Sequence, residues 1–568
     1  MHIEYIYINL YKGIEELSFP FTSESNIEFD IESKQFSLPK PNSEKSPRYY
    51  NGINCSAIVG RNGVGKSTIL DFIKNQTIYG NLYGVIVFRD GNHRYIYDPL
   101  SLCEVVGKTQ YFTHVQSKNR DSSFNGIRLV NLTNIHELDS ALNSSKKSKS
   151  KILFDFSPRI KLSKEVKKEN FRRINSYLSH EGNDVGHYSG YAFTPNKKSI
   201  KSILNQYKLL KPTDLKNLSK PLSSEIGEAL TELKSGGVEY YSNEYDILVN
   251  RVTKDLHSTY ETTLLLNITP NIIKSVIKLH FKKDNVVSIL FFVKYIRKIT
   301  KEYNTKYLNT HDILTIIEEC LYHYCNNEII EPSIEIVNTF NYIVEILFEL
   351  YKNIEIYQAT VGEDGTIITN DFDAAQSITE TINKFPTLIS DSFDIGWVGI
   401  SSGEFAKIRI FSELYHYITS ELDTSPDNTE PLSSIIFVDE ADLYLHPEWQ
   451  RTFLHDLVKM INGSSSKNKF QVIVTSHSPI IISDFLPNDI VSLRKDNQVV
   501  KVQPALGFGT NITELFIDGM HINSTFGELS RYTIENILER YNNNSLTEYD
   551  KFLISQIGNE NIKKQLSV

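Results

Sequence analysis

The feature that most constrains the fold of this chain is a glycine-rich segment of eight residues, GRNGVGKS, at 60–67. It follows an apolar run at 56–59 and precedes a helical pattern. A G-x-x-x-x-G-K-S spacing between a strand and a helix predicts a phosphate-binding loop, because glycines let backbone N–H groups surround phosphate oxygens at a helix N-terminus. The predicted binding residues are Gly60, Arg61, Asn62, Gly63, Val64, Gly65, Lys66, Ser67 and Thr68. We expect Lys66 to contact the terminal phosphates of ATP and Ser67 to hold Mg²⁺.

Composition limits the class of protein. A chain of 568 residues has room for about two to four domains, or for one large domain with an insertion. A net charge of −9 argues against a uniformly basic coat for nucleic acid, and four cysteines are too few for a disulfide scaffold. The amino terminus lacks a signal-peptide pattern, and the longest strongly apolar run, 286–293, is too short to span a bilayer. We therefore expect a cytoplasmic protein without a membrane domain.

Changes in the apolar pattern divide the sequence into four predicted segments. Residues 1–135 combine strand patterns with the phosphate loop and are predicted to form a first lobe. Residues 136–390 form an insertion that is basic at first and then mainly helical. Strands and helices alternate again over 391–505, the predicted second lobe, and 506–568 is a polar helical tail. The predicted fold class is therefore α/β, with a helical insertion and a helical tail.

Shorter patterns predict individual elements within these segments. Extended segments are predicted at 3–10, 26–38 and 126–132, hairpins at 82–97 and 354–370, and helices at 286–299, 312–325 and 334–351. Cys320 and Cys325 lie five residues apart on one predicted helix, where they do not share a face well. We therefore expect buried free thiols there and no metal site.

Charge is distributed unevenly along the insertion. Residues 145–220 contain eighteen basic and six acidic residues, a net charge of +12 in a chain whose total is −9. The aromatic residues among these charges are Phe154, Phe156, Phe171, Tyr177, Tyr188, Tyr191 and Phe193. One interpretation is a groove for DNA or RNA, where basic side chains neutralise phosphates and aromatic rings stack on bases. The other is a solvated face, because 144–150 has low complexity. The sequence leaves both interpretations open.

Two further motifs carry groups suited to nucleotide chemistry. The apolar run 433–438 ends in Asp439 and Glu440. This pattern predicts a buried strand that delivers one carboxylate to Mg²⁺ and a second as general base for the attacking water. Upstream, a serine-glycine turn opens a helical pattern and offers a hydroxyl and a helix N-terminus to a γ-phosphate. The residues of that turn are Ser401, Ser402, Gly403 and Glu404.

A histidine closes the next strand pattern. The apolar run 472–474 leads through Thr475 and Ser476 to His477, whose imidazole is placed to hydrogen-bond the same phosphate. A single histidine in such a position is more often structural than catalytic. The order of phosphate loop, serine-glycine turn, Asp-Glu pair and histidine is much more specific than any one of these motifs.

Together these motifs resemble an ABC-type P-loop ATPase head built from two lobes. In that superfamily the turn at 401–404 matches the signature motif, and His477 matches the switch histidine. The resemblance implies a head-to-tail dimer, or a higher oligomer, in which each ATP lies between two copies. It further implies that Ser402 and Gly403 of one copy contact the ATP held by Lys66 of the other.

Two other segments resemble particular branches of this superfamily. The segment DEADLYLHP at 439–447 is similar to the D-E-x-D-x-x-L-H-P form of RecF, SMC-like and OLD-type ATPases. His446 stands where transporter ATPases have an aspartate. The tail segment FGTNITELF at 508–516 resembles the ATPases of Septu and retron-associated anti-phage systems, which are encoded beside an HNH nuclease. The resemblance implies control of a separately encoded HNH nuclease, and a DNA-repair ATPase of the RecF or SMC-like class is the alternative.

Two expectations concern groups that the motifs leave out. The residues after His477 contain no Toprim set of metal-binding carboxylates, so we expect no nuclease activity from this chain. The glutamine that senses nucleotide and Mg²⁺ in these ATPases has no single match, and its candidates are Gln110, Gln116 and Asn134.

Apolar residues at 512 and 515–517 are available to dock a partner.

Overall fold

The computed structural model describes residues 1–22, 24–43, 45–116, 126–135, 152–158, 164–181, 190–196, 199–211, 220–255, 258–280, 284–326, 333–422, 432–463, 468–497, 499–519, 524 and 526–566. The chain forms two compact units. The first contains Met1–Lys161 and Ala406–Val568, and the second contains Leu162–Phe405. The division of the sequence into 1–135, 136–390, 391–505 and 506–568 stays a prediction.

A seven-stranded sheet in the first unit takes strands from distant parts of the sequence. Its strands, in spatial order, are Leu153–Asp155, Ile127–Thr133, Ser433–Asp439, Lys469–Thr475, Asn54–Gly60, Ile490–Asp496 and Val499–Gln503. All neighbours are parallel except the last pair. The central strands are buried, which explains their unbroken apolar runs. The carboxyl ends of the parallel strands lie at one edge, the usual place for a ligand site in such sheets.

Two smaller sheets complete the β-structure of the first unit. The five-stranded sheet has the order Ile14–Pro20, His2–Tyr11, Tyr83–Asp90, His93–Tyr97 and Phe112–Val115. The three-stranded sheet has the order Glu28–Asp30, Gln35–Leu38 and Glu104–Gly107. The predicted hairpin at 82–97 is confirmed, with Asp90 paired to His93. A single extended segment over 26–38 is wrong, because the chain turns at Lys34, whose φ is +52°, and forms two short antiparallel strands.

Helices surround these sheets and form the tail. The α-helices are Ser46–Tyr49, Lys66–Tyr79, Ser402–His416, Pro447–Gly463, Pro479–Ile482, Ile512–Glu514, Glu528–Asn542, Glu548–Gln556 and Glu560–Leu566, and the third of these starts in the second unit. Shorter 3₁₀ or π turns occur at Thr109–Tyr111, Tyr417–Glu421, Pro487–Asp489 and Leu515–Gly519. The described residues of 506–568 thus include helices, while the tail as a separate segment stays a prediction. Leu515 is fully buried, so its expected role in docking a partner is wrong, whereas the side chains of Ile512 and Ile517 are exposed.

The second unit is mainly helical. Its α-helices are Lys164–Glu181, Ile200–Leu204, Lys220–Glu232, Val238–Thr253, Tyr260–His280, Asp284–Tyr303, Thr310–Asn326, Ser333–Ile356, Phe372–Lys384 and Thr387–Ser390. A 3₁₀ turn occurs at Asn205–Leu209, and Leu233–Gly237 is a kink with a positive φ at Gly236. Its antiparallel sheet has the order Thr360–Val361, Ile367–Thr369, Gly190–Pro195 and Phe393–Val398. The three predicted helices are confirmed and are longer than expected. The hairpin predicted from residue 354 starts at Thr360, because the preceding helix continues to Ile356.

Burial overturns part of the proposed base-stacking surface. Phe171, Tyr177, Tyr191 and Phe193 are at most 7% exposed, so they are core residues and cannot stack on nucleic acid. Their apolar surface is removed from water by the packing of the second unit, which stabilises that unit. Tyr188 and the segment 144–150 lie outside the described residues.

Cysteine burial and helix hydropathy bear on two other expectations. Cys320 is a buried free thiol, as expected, whereas the side chain of Cys325 lies outside the described residues. Among the helices that the structure describes, none combines the length and hydropathy needed to cross a membrane.

Candidate active site

The phosphate loop connects the strand Asn54–Gly60 to the helix Lys66–Tyr79. All three of its glycines have positive φ, +146° at Gly60, +75° at Gly63 and +111° at Gly65. These angles lie where a residue with a Cβ atom is strained, so the glycines allow the backbone to curl. A Cβ atom at Gly60 would also lie 2.6 Å from the carbonyl oxygen of Leu493. The conformation of the loop therefore depends on the three glycines.

Lys66 points its ammonium group into the carboxyl edge of the sheet. The side chain is buried, and Nζ donates to the carbonyl oxygen of Gly60 at 3.0 Å and to Nε2 of His477 at 2.7 Å. Burial lowers the pKa of Lys66, although the carboxylates of Glu440 and Asp439 oppose this shift. Burial and the charge of Lys66 also lower the pKa of His477, which favours a neutral imidazole that accepts the bond. The structure thus brings the two predicted residues into direct contact.

Ser67 and Asp439 meet beside the lysine. Ser67 Oγ donates to Asp439 Oδ1 at 3.1 Å, and the same carboxylate oxygen accepts from Thr475 Oγ1 at 2.5 Å. A hydroxyl and a carboxylate are oxygen ligands that Mg²⁺ prefers. Among the residues described, no group of three or more His, Cys, Asp or Glu side chains could hold a metal ion. A Mg²⁺ ion held by Ser67 and Asp439 would thus complete its coordination with phosphate oxygens and water.

Glu440 follows Asp439 in an unusual backbone conformation. Its φ is +51°, a region that costs a non-glycine residue free energy and occurs preferentially at functional sites. Its N–H donates to Thr475 Oγ1 at 2.8 Å. Burial and the neighbouring Asp439 charge raise the pKa of Glu440, while Lys66 acts in the opposite direction. A carboxylate with a raised pKa beside a metal-binding pair suits a general base.

These groups fit ATP with Mg²⁺. The glycines open a cradle of backbone N–H groups, and the helix that begins at Lys66 adds the partial positive charge of its N-terminus. The buried ammonium of Lys66 has a histidine nitrogen and a carbonyl oxygen as neutral acceptors, so anionic phosphate oxygens are stronger partners for it. Bound Mg²⁺ would neutralise phosphate charge, and the chain supplies the remaining positioning groups.

Of the three candidates for the nucleotide-sensing amide, one lies at the carboxyl edge of the seven-stranded sheet. Asn134 directly follows the strand Ile127–Thr133, and Thr133 pairs with Asp439. Asn134 is 6% exposed, and its Nδ2 has no hydrogen-bond partner among the described residues. Gln110 and Gln116 are exposed and lie beside the five-stranded sheet. The geometry thus favours Asn134.

The serine-glycine turn forms a helix start in the second unit. Ser401 Oγ accepts from the N–H of Glu404 at 3.2 Å, and Glu404 Oε2 accepts from the N–H of Ser401 at 2.8 Å. This reciprocal pair is a capping box, which satisfies two backbone donors at the start of the helix Ser402–His416. Ser401 and Ser402 are exposed, and Gly403 is buried. The capping box accounts for Ser401 and Glu404 locally and leaves the Ser402 hydroxyl accessible.

Sequence reasoning missed three residues that hold the site together. Thr475 bonds Asp439 and Glu440, Asp442 accepts from the N–H of His477 at 2.9 Å, and Gln450 accepts from Ser478 Oγ at 2.6 Å. Their residue types are common, and their partners lie far away in sequence. The hydroxyl of Thr475 at the end of a buried strand was the one local signal.

A cavity of about 670 Å³ adjoins the phosphate loop. Its lining residues are Arg61, Asn62, Gly63, Val64, Leu493, Arg494, Lys495, Asp496, Gln503, Pro504, Ile517 and Asp518. Lys66, Ser67, Asp439 and His477 do not line it, so this cavity is separate from the groups suited to hydrolysis. The tail segment Leu515–Gly519 therefore contributes a wall to a space bounded by the phosphate loop.

Comparison with known proteins agrees with this geometry. The profile of the AAA ATPase domain family matches residues 1–482, which is most of the chain. The chain belongs to the AAA ATPase domain family. Members of this family are ATPases, as the phosphate loop and the Asp-Glu pair lead one to expect.

Three curated proteins are similar over shorter stretches. Septu protein PtuA of Bacillus thuringiensis is 24% identical over 193 residues, 31% of this chain and 46% of its own length. The retron Vc95 probable ATPase of Vibrio cholerae serotype O1 biovar El Tor is 27% identical over 126 residues, 22% of this chain and 23% of its own. The retron Ec83 probable ATPase of Escherichia coli is 32% identical over 82 residues, 14% of each chain. The matched stretches thus span less than half the length of each relative, and the predicted resemblance to Septu and retron ATPases is confirmed as a similarity.

Proposed function

We propose that this chain binds and hydrolyses ATP with Mg²⁺. The observation that most supports this proposal is the contact of Lys66 with His477 and of Ser67 with Asp439 at one edge of the sheet. Lys66 and the loop N–H groups bind phosphate, and Ser67 and Asp439 hold the metal. Glu440 takes a proton from the attacking water, and His477 hydrogen-bonds the terminal phosphate in place of its contact with Lys66.

We further propose an ABC-type head with two lobes and a helical insertion, assembled as a head-to-tail dimer. The exposed hydroxyl of Ser402 at a helix N-terminus supports this proposal, because such a group suits a phosphate bound by another copy. Ser401, Ser402 and Gly403 would then complete the site of the second copy. A higher oligomer built from such dimers is compatible with the same contacts.

Mixing two inactive variants tests the shared site. Ser402→Arg places a bulky cation at the proposed contact, and Lys66→Ala removes the phosphate-binding cation, so each variant alone should hydrolyse little ATP. In a mixed dimer one site contains both changes and the other contains neither, so part of the activity should return. Full hydrolysis by Ser402→Arg alone would exclude the shared site, and its unchanged binding of ATP is the control for folding.

The proposed role is control of a separately encoded HNH nuclease in bacterial anti-phage defence, in the cytoplasm. The similarity to Septu PtuA and to two retron ATPases supports this role. Nucleic acid, including retron DNA or RNA, is a proposed ligand of the basic region 145–220. We propose that the chain itself does not cut nucleic acid. Phage plating with the neighbouring genes, with and without Lys66→Ala, tests this role.

The alternative is a DNA-repair ATPase of the RecF or SMC-like class, to which the segment 439–447 is similar. The two functions differ in their genetic requirement. A defence ATPase protects against phage only with its nuclease gene present, whereas a repair ATPase changes survival after DNA damage without that gene. Metal-dependent cleavage by the purified chain, abolished by a point substitution in it, would contradict both.

A further inference from the structure

Thr475 ties three consecutive residues of the neighbouring strand end to its own strand. Its side chain is fully buried at the end of the strand Lys469–Thr475. The hydroxyl donates to Asp439 Oδ1 at 2.5 Å and accepts from the N–H of Glu440 at 2.8 Å. The carbonyl oxygen of Thr475 accepts from the N–H of Ala441 at 3.0 Å. One residue therefore holds both carboxylate positions and the start of the turn that follows them.

Asp442, in the turn after Glu440, holds the segment that follows the strand of Thr475. Its Oδ1 accepts from Ser476 Oγ at 2.6 Å and from the N–H of His477 at 2.9 Å. The turn after Glu440 thus supports the backbone that presents His477, just as Thr475 supports Glu440. A third tie comes from Gln450, whose Nε2 donates to the carbonyl oxygen of Leu445 and whose Oε1 accepts from Ser478 Oγ.

We propose that Thr475 and Asp442 are positioning residues that join the general base Glu440 and the histidine His477 into one moving unit. This inference rests on the proposed ATP hydrolysis and goes beyond it, because it assigns these two residues a role in coupling. Glu440 has a φ of +51°, and a strained residue keeps its conformation only when its surroundings hold it. A change at His477, whose Nε2 contacts Lys66, is therefore passed through Asp442 to the turn that carries Glu440.

Steady-state ATP hydrolysis separates positioning from binding. Thr475→Val keeps the shape of the side chain and removes the hydroxyl, whereas Thr475→Ser keeps the hydroxyl. The valine variant should therefore lower kcat about 10–100-fold, and the kcat of the serine variant should stay within about threefold of wild type. Asp442→Ala should lower kcat like Thr475→Val. Asp442→Asn retains an acceptor oxygen, so its kcat should stay close to that of wild type. At saturating Mg²⁺ the KM for ATP should change little in all four variants, because Lys66 and the loop N–H groups keep their phosphate contacts.

The double variant Thr475→Val with Asp442→Ala tests whether the two ties act together. If both serve one unit, the double variant should hydrolyse ATP no more slowly than the slower single variant. Losses that multiply would contradict the proposal, as would equal kcat for Thr475→Val and Thr475→Ser. Melting temperature and far-ultraviolet circular dichroism check that each variant is folded.

Trp449 gives a second measurement that needs no hydrolysis. The chain has two tryptophans, Trp397 and Trp449, and the backbone N–H of Trp449 donates to the carbonyl oxygen of His446 at the end of the same turn. In a Trp397→Phe background, adenylyl imidodiphosphate should change Trp449 emission in the otherwise wild-type protein and with Asp442→Asn, but not with Asp442→Ala. An unchanged emission on binding to the parent protein would contradict the coupling. If the wild-type protein hydrolyses no ATP but the emission pattern is as expected, the proposed function is contradicted and the coupling is not.

Discussion

Replacing Lys66 by alanine removes the cation that the structure places closest to His477 and the loop carbonyl. Nζ makes two close contacts, at 3.0 and 2.7 Å, and both partners are neutral. With ATP bound, the ammonium would make at least one hydrogen bond to an anionic oxygen, and such bonds contribute about 1.5–3 kcal/mol. This range corresponds to a dissociation constant for ATP that is about 10–150-fold weaker. The apo protein should lose little stability, because the pKa of Lys66 is already lowered by burial and its removal relieves that desolvation.

Titration of the purified variant with a fluorescent ATP analogue measures this difference directly. Lys74→Ala is the matched control, because Lys74 lies on the same helix and its Nζ contacts Asn131 Oδ1 instead of the loop. The control should bind ATP like wild type. An Lys66→Ala protein that is folded and binds ATP within about threefold of wild type would refute the assignment of the phosphate site.

Three further predictions concern the general base, the tail and a pH-sensitive helix pair. Glu440→Gln should lower the rate of ATP hydrolysis about 10²–10⁴-fold while ATP stays bound, and a normal rate of phosphate release would contradict the role of Glu440 as general base. The same variant should raise the melting temperature at pH 7, because the raised pKa of Glu440 means that its charged form destabilises the fold. Deletion of 519–568 removes the exposed apolar side chains of Leu529, Tyr532 and Phe552, so it should abolish capture of the proposed nuclease in a pull-down. Most ATP hydrolysis should remain, because Leu515 keeps its buried position. Hydrogen bonds from Arg540 and Thr547 lower the pKa of Asp550 to about 2. The charged carboxylate therefore stabilises the helix pair Glu528–Asn542 and Glu548–Gln556 above about pH 4, and this stabilisation is lost as the pH falls towards 2. Circular dichroism should show this acid transition in wild type, and Asp550→Asn should lack it.

Local motifs predicted the chemical groups of the site, and long-range pairing supplied their arrangement. The phosphate loop was predictable because glycine spacing and Lys66 lie within eight residues, and Asp439 followed a run that could be buried on both faces. The ties of Thr475 and Asp442 were not predictable, because a threonine and an aspartate have many local uses and their partners come from another strand. The aromatic residues of 145–220 were misjudged for the same reason. The strand that carries Phe193 pairs with two strands distant in sequence, and its ring is buried in the apolar core of the second unit.

The position of the tail segment Leu515–Gly519 has a thermodynamic consequence for any protein that grips the tail. Ile517 and Asp518 face the same cavity as Asn62 and Gly63, so displacing the segment alters one side of the loop that receives phosphate. Binding at the two places then forms a closed cycle of four states. The factor by which a tail-bound protein changes the affinity for ATP must equal the factor by which ATP changes the affinity for that protein. A nuclease that binds the ATP-bound chain more tightly would thus itself raise the affinity for ATP, and loss of the nucleotide would weaken binding of the nuclease by the same factor.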